Sequence, residues 1–297
     1  MFEIKGIIPP IVTPMNTDES INLNELRNQV NRLINAGVHG IFAIGTNGEG
    51  YALNEDEKEK VLETVVEETA KRVPVYAGVG CITTRDTIRL ARKAEKMGCD
   101  VLSVITPSFA QASQEELYEH YKAIAEAVQL PIVLYNIPAR TGNALATSTV
   151  ERLAAIHNIV GVKDSSGNFD QMLQYIEATK DMNFTVLSGN DSLILWNLLA
   201  GGSGGIAGCA NVYPENMVNI YEAFRKGDLE QARAAQDRIR SFRNCFRFGN
   251  PNTIVKTAVA MLGYPVGNCR SPFYHISEEG IEAIKCVLTA NEKLGMK

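Results

Sequence analysis

Short apolar runs alternate with segments of helical period through the first three quarters of the chain. The runs are Gly6–Thr13, His39–Gly45, Pro74–Gly80, Val101–Thr106, Pro131–Asn136, Ile159–Asp164, Phe184–Gly189 and Gly204–Ala207, and each reads as a strand. Between them, segments such as Asn22–Ala36, Asp56–Ala70, Thr84–Met97 and Gln114–Val128 repeat apolar residues three and four apart, the spacing of one helix face. Their ends carry matching punctuation. Asn54 with Glu57 three residues later is a capping start, and Gly37 after Ala36 is a stop.

Strand then helix, eight times at a spacing of roughly 20 to 35 residues, is the pattern of an α/β (β/α)8 TIM barrel. A doubly wound sheet uses the same units and is the alternative; the count of eight favours the barrel. The expected organisation is a barrel over 1–226 and a C-terminal helical extension over 227–297, with a break at Phe248–Asn252. No linker divides the chain. GGSGG at 201–205 reads as a tight entry into the eighth strand, because IAG follows at once.

Composition narrows the function. Hydrophobic residues make up 45% of the 297 and charged residues 21%, which suits a large core and not a disordered chain. With 29 Lys+Arg against 34 Asp+Glu, the net charge of −5 and the lack of a basic stripe argue against nucleic acid as a partner. The most apolar stretch, Leu193–Ala200, contains Asn197 and falls far short of the ~20 residues a membrane span needs. Glu3 in the opening Met1–Gly6 stands where a signal peptide would be basic. Cys81, Cys99, Cys209, Cys245, Cys269 and Cys286 form no CxxC pair, so reduced thiols in a cytoplasmic protein are expected. His39, His120, His157 and His275 form no HxH or HExxH set, and no metal is expected.

Barrel enzymes carry their chemistry at the C-terminal ends of the strands. Those ends read Thr13, Gly45–Glu49, Gly80, Thr106, Tyr135, Lys163, Ser188 and Ile206. Alternation along Ile159–Lys163 puts Ile159, Gly161 and Lys163 on one face and the two valines on the other. If the valines meet the outer helices, Lys163 points into the barrel beside a glycine that leaves room. Burial favours the uncharged form of an amine, which can attack a carbonyl. The competing reading is a solvated strand-end lysine paired with Asp164. Tyr135 ends the preceding strand and can face inward with Val133, where a phenol could shuttle protons; alone, it could equally be a packing residue. The backbone of Gly45-Thr46-Asn47-Gly48-Glu49 could cradle a carboxylate, and it lacks the GxGxxG spacing of a dinucleotide site. Arg140 could offer a planar fork to a carboxylate or sit on the surface.

Together these stretches resemble the dihydrodipicolinate synthase / N-acetylneuraminate lyase superfamily. The matching segments are GIIPPIVTP at 6–14, GTNGE at 45–49, YNIPARTG at 135–142, GVKDSSGN at 161–168, GGSGGIAG at 201–208 and PNTIVKTAVAMLG at 251–263, nearly the whole chain. The resemblance implies a class I aldolase or lyase in which Lys163 forms a Schiff base with pyruvate, with no metal or organic cofactor. Tyr135 would be the catalytic phenol, Thr46 a relay hydroxyl, and the Thr46 and Asn47 amides the carboxylate cradle. Ile206 would line the site through its carbonyl, and the expected assembly is a homotetramer built from two dimers.

Arg140 in the YNIPARTG context looks like the arginine that holds the carboxylate of L-aspartate 4-semialdehyde in the synthase branch. Two departures separate the chain from that branch. Phe109, in TPSFA, stands where a relay tyrosine reaches a neighbouring subunit, and Asn47 replaces a threonine. The stretch Gly189–Ser192 lacks the acid after Asp191 that sugar-cleaving lyases use. A keto-deoxy sugar-acid aldolase or an N-acetylneuraminate lyase-like enzyme that cleaves a 2-keto acid is the alternative within the superfamily, so the expected partners are pyruvate with a small aldehyde or a 2-keto acid. From other classes, an idle keto-acid sensor would not need a nucleophilic amine, and a metal-dependent aldolase would need strand-end ligands. Tyr51, Glu55 and Lys58 occupy positions of the lysine-feedback site of regulated relatives, and strong lysine inhibition is not expected.

Overall fold

The computed structural model describes residues 3–296; Met1 and Phe2 of the opening segment lie outside that range. Eight parallel strands form one sheet: β1 Gly6–Ile8, β2 Ile41–Ala43, β3 Val75–Gly78, β4 Val101–Ile105, β5 Ile132–Asn136, β6 Ile159–Asp164, β7 Thr185–Ser188 and β8 Gly204–Ile206. Their order is β1-β8-β7-β6-β5-β4-β3-β2. The last seam closes where the Phe42 amide donates to Pro9 at 2.9 Å and the Ile11 amide donates to Phe42 at 3.0 Å. The fold is a (β/α)8 TIM barrel. Each strand lies within one of the eight apolar runs.

Helix punctuation behaves as its chemistry requires. Asn54 Oδ1 accepts from the Glu57 amide at 2.9 Å and Glu57 Oε2 accepts from the Asn54 amide at 2.8 Å, which starts the helix Glu55–Thr69. The helix Leu23–Asn35 ends before Gly37, whose φ of +86° suits a residue without Cβ. At the eighth strand, a Cβ on Gly204 would come within 2.1 Å of the Gly6 carbonyl oxygen, so the glycine run permits close approach of β1. After Arg225 the regular elements among the described residues are helices, the longest being Leu229–Arg238, Pro251–Met261 and Glu278–Lys293, with an irregular stretch over 262–277.

Apolar packing divides into an inner and an outer shell. Ile4, Ile8, Phe42, Tyr76, Val101, Val133, Val160, Leu187 and Ile206 fill the barrel interior, while larger clusters join the strands to the helices. This corrects the alternation expected along β6. Val133 pairs with Gly161 and Ile132 with Ile159, leaving Val160 as an extra residue in a bulge. Val160 therefore joins the interior cluster, and Ile159 packs outside with Val162. Above the bulge, Lys163 keeps its expected inward face. The glycine that gives it room is also different. A Cβ on Gly161 would meet Thr185 Cγ2 at 2.5 Å, whereas one on Gly189 would lie 2.9 Å from Lys163 Cε.

No helix among the described residues is long and apolar enough to cross a membrane. All six cysteines are free thiols, and burial pushes Cys99 and Cys269 up to about 12, which suits inert packing groups.

Candidate active site

At the C-terminal end of the barrel the strands surround a cavity of about 480 Å³. Phe42, Thr46, Ser103, Tyr135 and Arg140 are among its lining residues, and Tyr51 and Phe273 stack edge-on beside it with ring centres 5.4 Å apart. Register places Tyr135 of β5 directly beside Lys163 of β6. Lys163 is 4% exposed, and its Nζ lies 3.7 Å from the centre of the Tyr135 ring and 5.3 Å from that of Phe42. Two aromatic faces thus hold the amine in place of a counter-ion.

Asp164 faces the other way. Its carboxylate accepts from Asn136 Nδ2 at 2.8 Å and Ser166 Oγ at 2.7 Å, so the reading of an Asp164–Lys163 pair at a solvated strand end does not hold. Burial raises the Asp164 carboxyl above its usual range, and these two hydrogen bonds only partly oppose that rise.

Tyr135 is the second buried group. Its Oη lies 3.1 Å from Thr46 Oγ1. Burial alone would raise the phenol, but the Lys163 charge and hydrogen bonds with Thr46, Lys163 and Ser165 outweigh it and hold the group below the ordinary phenol value. Lys163, Tyr135 and Thr46 form one contiguous amine–phenol–hydroxyl set. Ser103 contributes a further hydroxyl: the residue is 1% exposed, and its Oγ meets no protein partner among the described residues.

The loop after β2 carries Thr46 through an unusual backbone. Ile44 and Glu49, neither of them glycine, have φ of +50° and +55°. Among the described residues the amides of Thr46 and Asn47 donate to no protein acceptor, which leaves them open to an anion. The Asn47 side chain lies against Gly208, where a Cβ would sit 3.4 Å from its Nδ2. Arg140 is exposed on the short helix Pro138–Thr141 and forms another part of the cavity wall. Ile206 ends β8, 1% exposed within the interior cluster. The cavity therefore gathers Lys163's neighbours and Arg140, while Asn47 and Ile206 lie behind it.

Strand-end reasoning missed the supports that come from the C-terminal extension. Asn252 Nδ2 donates to the Thr46 carbonyl at 2.6 Å, and Lys256 pairs with Glu49 at 2.8 Å with both side chains almost completely buried. Arg270 makes a two-pronged contact with Glu57, at 2.9 and 2.7 Å. Asn252 and Lys256 lie one helical turn apart on the buried face of the helix Pro251–Met261, where a lysine is the one unusual residue. Among the described residues, no group of three or more His, Cys, Asp or Glu side chains is placed to hold a metal.

Comparison with known proteins matches residues 3–291 to the dihydrodipicolinate synthetase family. A 4-hydroxy-tetrahydrodipicolinate synthase from Methanopyrus kandleri is 42% identical, covering 99% of this chain and 98% of its own. An uncharacterized lyase of the same type from Halobacterium salinarum is 37% identical, covering 96% of this chain and 93% of its own. Among solved structures, a prophage protein of the dihydrodipicolinic acid synthase family from E. coli K12, in complex with pyruvate, superposes with a TM-score of 0.94 at 31% identity. That match covers 97% of this chain and 99% of the other. Sequence match over nearly the full length and a shared barrel agree: the chain belongs to the dihydrodipicolinate synthetase family of pyruvate-dependent aldolases and lyases.

Proposed function

We propose that the chain condenses pyruvate with L-aspartate 4-semialdehyde to 4-hydroxy-tetrahydrodipicolinate, through a Schiff base on Lys163. The observation that carries this reading is a buried amine without a carboxylate partner, 3.7 Å from the ring centre of a tyrosine whose hydroxyl meets Thr46. The Lys163 amine attacks C2 of pyruvate, and the carbinolamine loses its oxygen as water with a proton delivered by Tyr135. The resulting iminium draws electrons from C3, a methyl proton leaves, and the enamine carbon attacks the aldehyde carbon. That aldehyde oxygen takes up a proton as the C–C bond forms. The substrate's own amine then displaces Lys163 from C2, closing the ring and returning the free lysine.

Thr46 relays protons to and from Tyr135, and the open amides of Thr46 and Asn47 receive the pyruvate carboxylate. Ile206, at the end of β8, would contribute its backbone carbonyl as an acceptor beside the bound pyruvate. Arg140 suits the carboxylate of the semialdehyde, to which its guanidinium can present two parallel donors.

Cleavage of a keto-deoxy sugar acid is the second reading, and one observation favours it. Phe109, where the synthase branch carries a relay tyrosine, is fully exposed and has no hydroxyl to relay a proton. Borohydride reduction with pyruvate tests the shared chemistry. A stable mass increase on Lys163, lost together with turnover in Lys163→Ala, is expected; label elsewhere, or near-normal turnover in the variant, overturns it. Offering aspartate semialdehyde beside keto-deoxy sugar acids separates the two readings. Arg140→Ala should cut the synthase rate by about tenfold or more while pyruvate capture persists; an equal fall in both would give Arg140 a structural role.

A further inference from the structure

Thr46 is aimed at Tyr135 by a loop whose own turn bonds, from the Glu49 amide to the Thr46 carbonyl and from the Gly50 amide to the Gly45 carbonyl, each 3.1 Å, hold only part of its shape. Ile44 and Glu49, on either side of it, sit at positive φ, a conformation that persists only where surrounding contacts impose it. Beyond the turn bonds, further contacts come from a distant part of the sequence. On the helix Pro251–Met261, Asn252 and Lys256 are four residues apart and share one face. Lys256 Nζ donates to Glu49 Oε1 at 2.8 Å, to the Thr13 carbonyl at 2.9 Å and to the Asn268 carbonyl at 2.7 Å, so its three donors are all used. The other Glu49 oxygen accepts from the Arg270 amide at 2.8 Å. This fixes the far end of the loop.

Asn252 acts nearer the chemistry. It is 2% exposed, and its Nδ2 donates to the Thr46 carbonyl oxygen at 2.6 Å and to Tyr51 Oη at 3.2 Å. The Thr46 carbonyl accepts from Asn252 while the hydroxyl of the same residue meets Tyr135, so turning the Thr46–Asn47 peptide unit would swing the Asn47 amide and strain the Cα that carries the hydroxyl. We infer that Asn252 is a positioning residue of the active site: by gripping the Thr46 carbonyl it helps to set the Thr46 hydroxyl at hydrogen-bond distance from Tyr135 and fixes the orientation of the Asn47 amide in the same peptide unit. The inference rests on the Schiff-base reading only for its kinetic consequences; the geometric consequence stands apart from it.

Asn252→Ala removes the grip. Asn252→Asp keeps the shape, cannot donate, and places an acid in the first turn of a helix, where the dipole tolerates it. In both variants kcat is expected to fall about tenfold or more, with borohydride capture of pyruvate at saturation retained. Because the Thr46 contact helps to hold the Tyr135 phenol down, its loss should also move the alkaline limb of the kcat–pH profile to higher pH. A merely structural role would lower the melting temperature and leave that limb in place. A crystal structure of either variant gives a readout independent of turnover: the Thr46 Oγ1–Tyr135 Oη separation should lengthen beyond hydrogen-bond range. Retention of 3.1 Å, or an unmoved alkaline limb with unchanged kcat, overturns the inference. If wild-type enzyme takes no label from pyruvate and borohydride, the Schiff-base reading fails, and the crystallographic distance still decides the role of Asn252.

Discussion

Two loops at the mouth of the barrel carry residues at positive φ, and they are held in different ways. The loop after β2 contains Ile44 at +50° and Glu49 at +55°, and both residues are buried. Glu49 meets Lys256 and the Arg270 amide, Thr46 meets Asn252, and the Thr13 hydroxyl donates to the Gly48 carbonyl at 2.6 Å. The loop after β4 contains Phe109 at +79°, wholly exposed. Its backbone is secured by Asn143, whose Nδ2 donates to the carbonyls of Pro107 and Ala110, each at 2.8 Å. The Phe109 ring itself has no cover within the chain. Strain at the first loop is sustained by the chain's own interior and serves a fixed geometry. At the second, the backbone is fixed and the side chain is presented outward.

Breaking the clamp of the first loop gives the largest stability effect. Lys256→Met strands the fully buried Glu49 carboxylate without its cation, and removing one partner of a buried pair costs about 3–5 kcal/mol. Urea unfolding measures it; a loss under about 1 kcal/mol would mean that the loop is held by other contacts. Next comes Thr46→Val, which keeps the size of the side chain and loses the hydroxyl. We expect kcat to fall by about 10²-fold, with the alkaline limb moved upward, since a contact that lowers the Tyr135 phenol has gone. A limb that moves down, or does not move, would detach Thr46 from Tyr135. The smallest effect belongs to the second loop. Phe109→Asp should change the unfolding free energy of the dissociated chain by less than about 0.5 kcal/mol. The sequence resemblance implies a subunit contact at this ring, and sedimentation of Phe109→Asp beside the wild type tests it: a smaller assembly is the expected outcome. A large loss of intrinsic stability would erase the contrast between the loops.

Much of this was legible in the sequence because it follows short-range rules. Eight apolar runs gave eight strands, and the Asn54–Glu57 pair gave a helix start, because periodicity and capping depend on neighbours within one or two turns. The inward face of Lys163 followed from alternation, yet the partition of Ile159 and Val160 did not. A bulge adds one residue without any mark in composition, and only pairing with β5 reveals it. The roles of Asn252 and Lys256 were hidden for another reason. Both act on residues more than 200 positions earlier, at sequence separations of 206 and 207, and no local pattern carries that pairing. Gly189 was equally silent, since the space it leaves for Lys163 exists only after β6 and β7 are side by side.

The grip of the helix Pro251–Met261 on the loop after β2 has a consequence for synthesis on the ribosome. Domains fold as their residues emerge, from the N-terminus onward. All eight strands are available once Ile206 has been made, but the ammonium that neutralises Glu49 arrives some fifty residues later. A nascent chain halted between these points would carry Lys163 and Tyr135 beside a Thr46 loop that lacks both contacts from this helix, so the groups that secure the loop are made well after the loop itself.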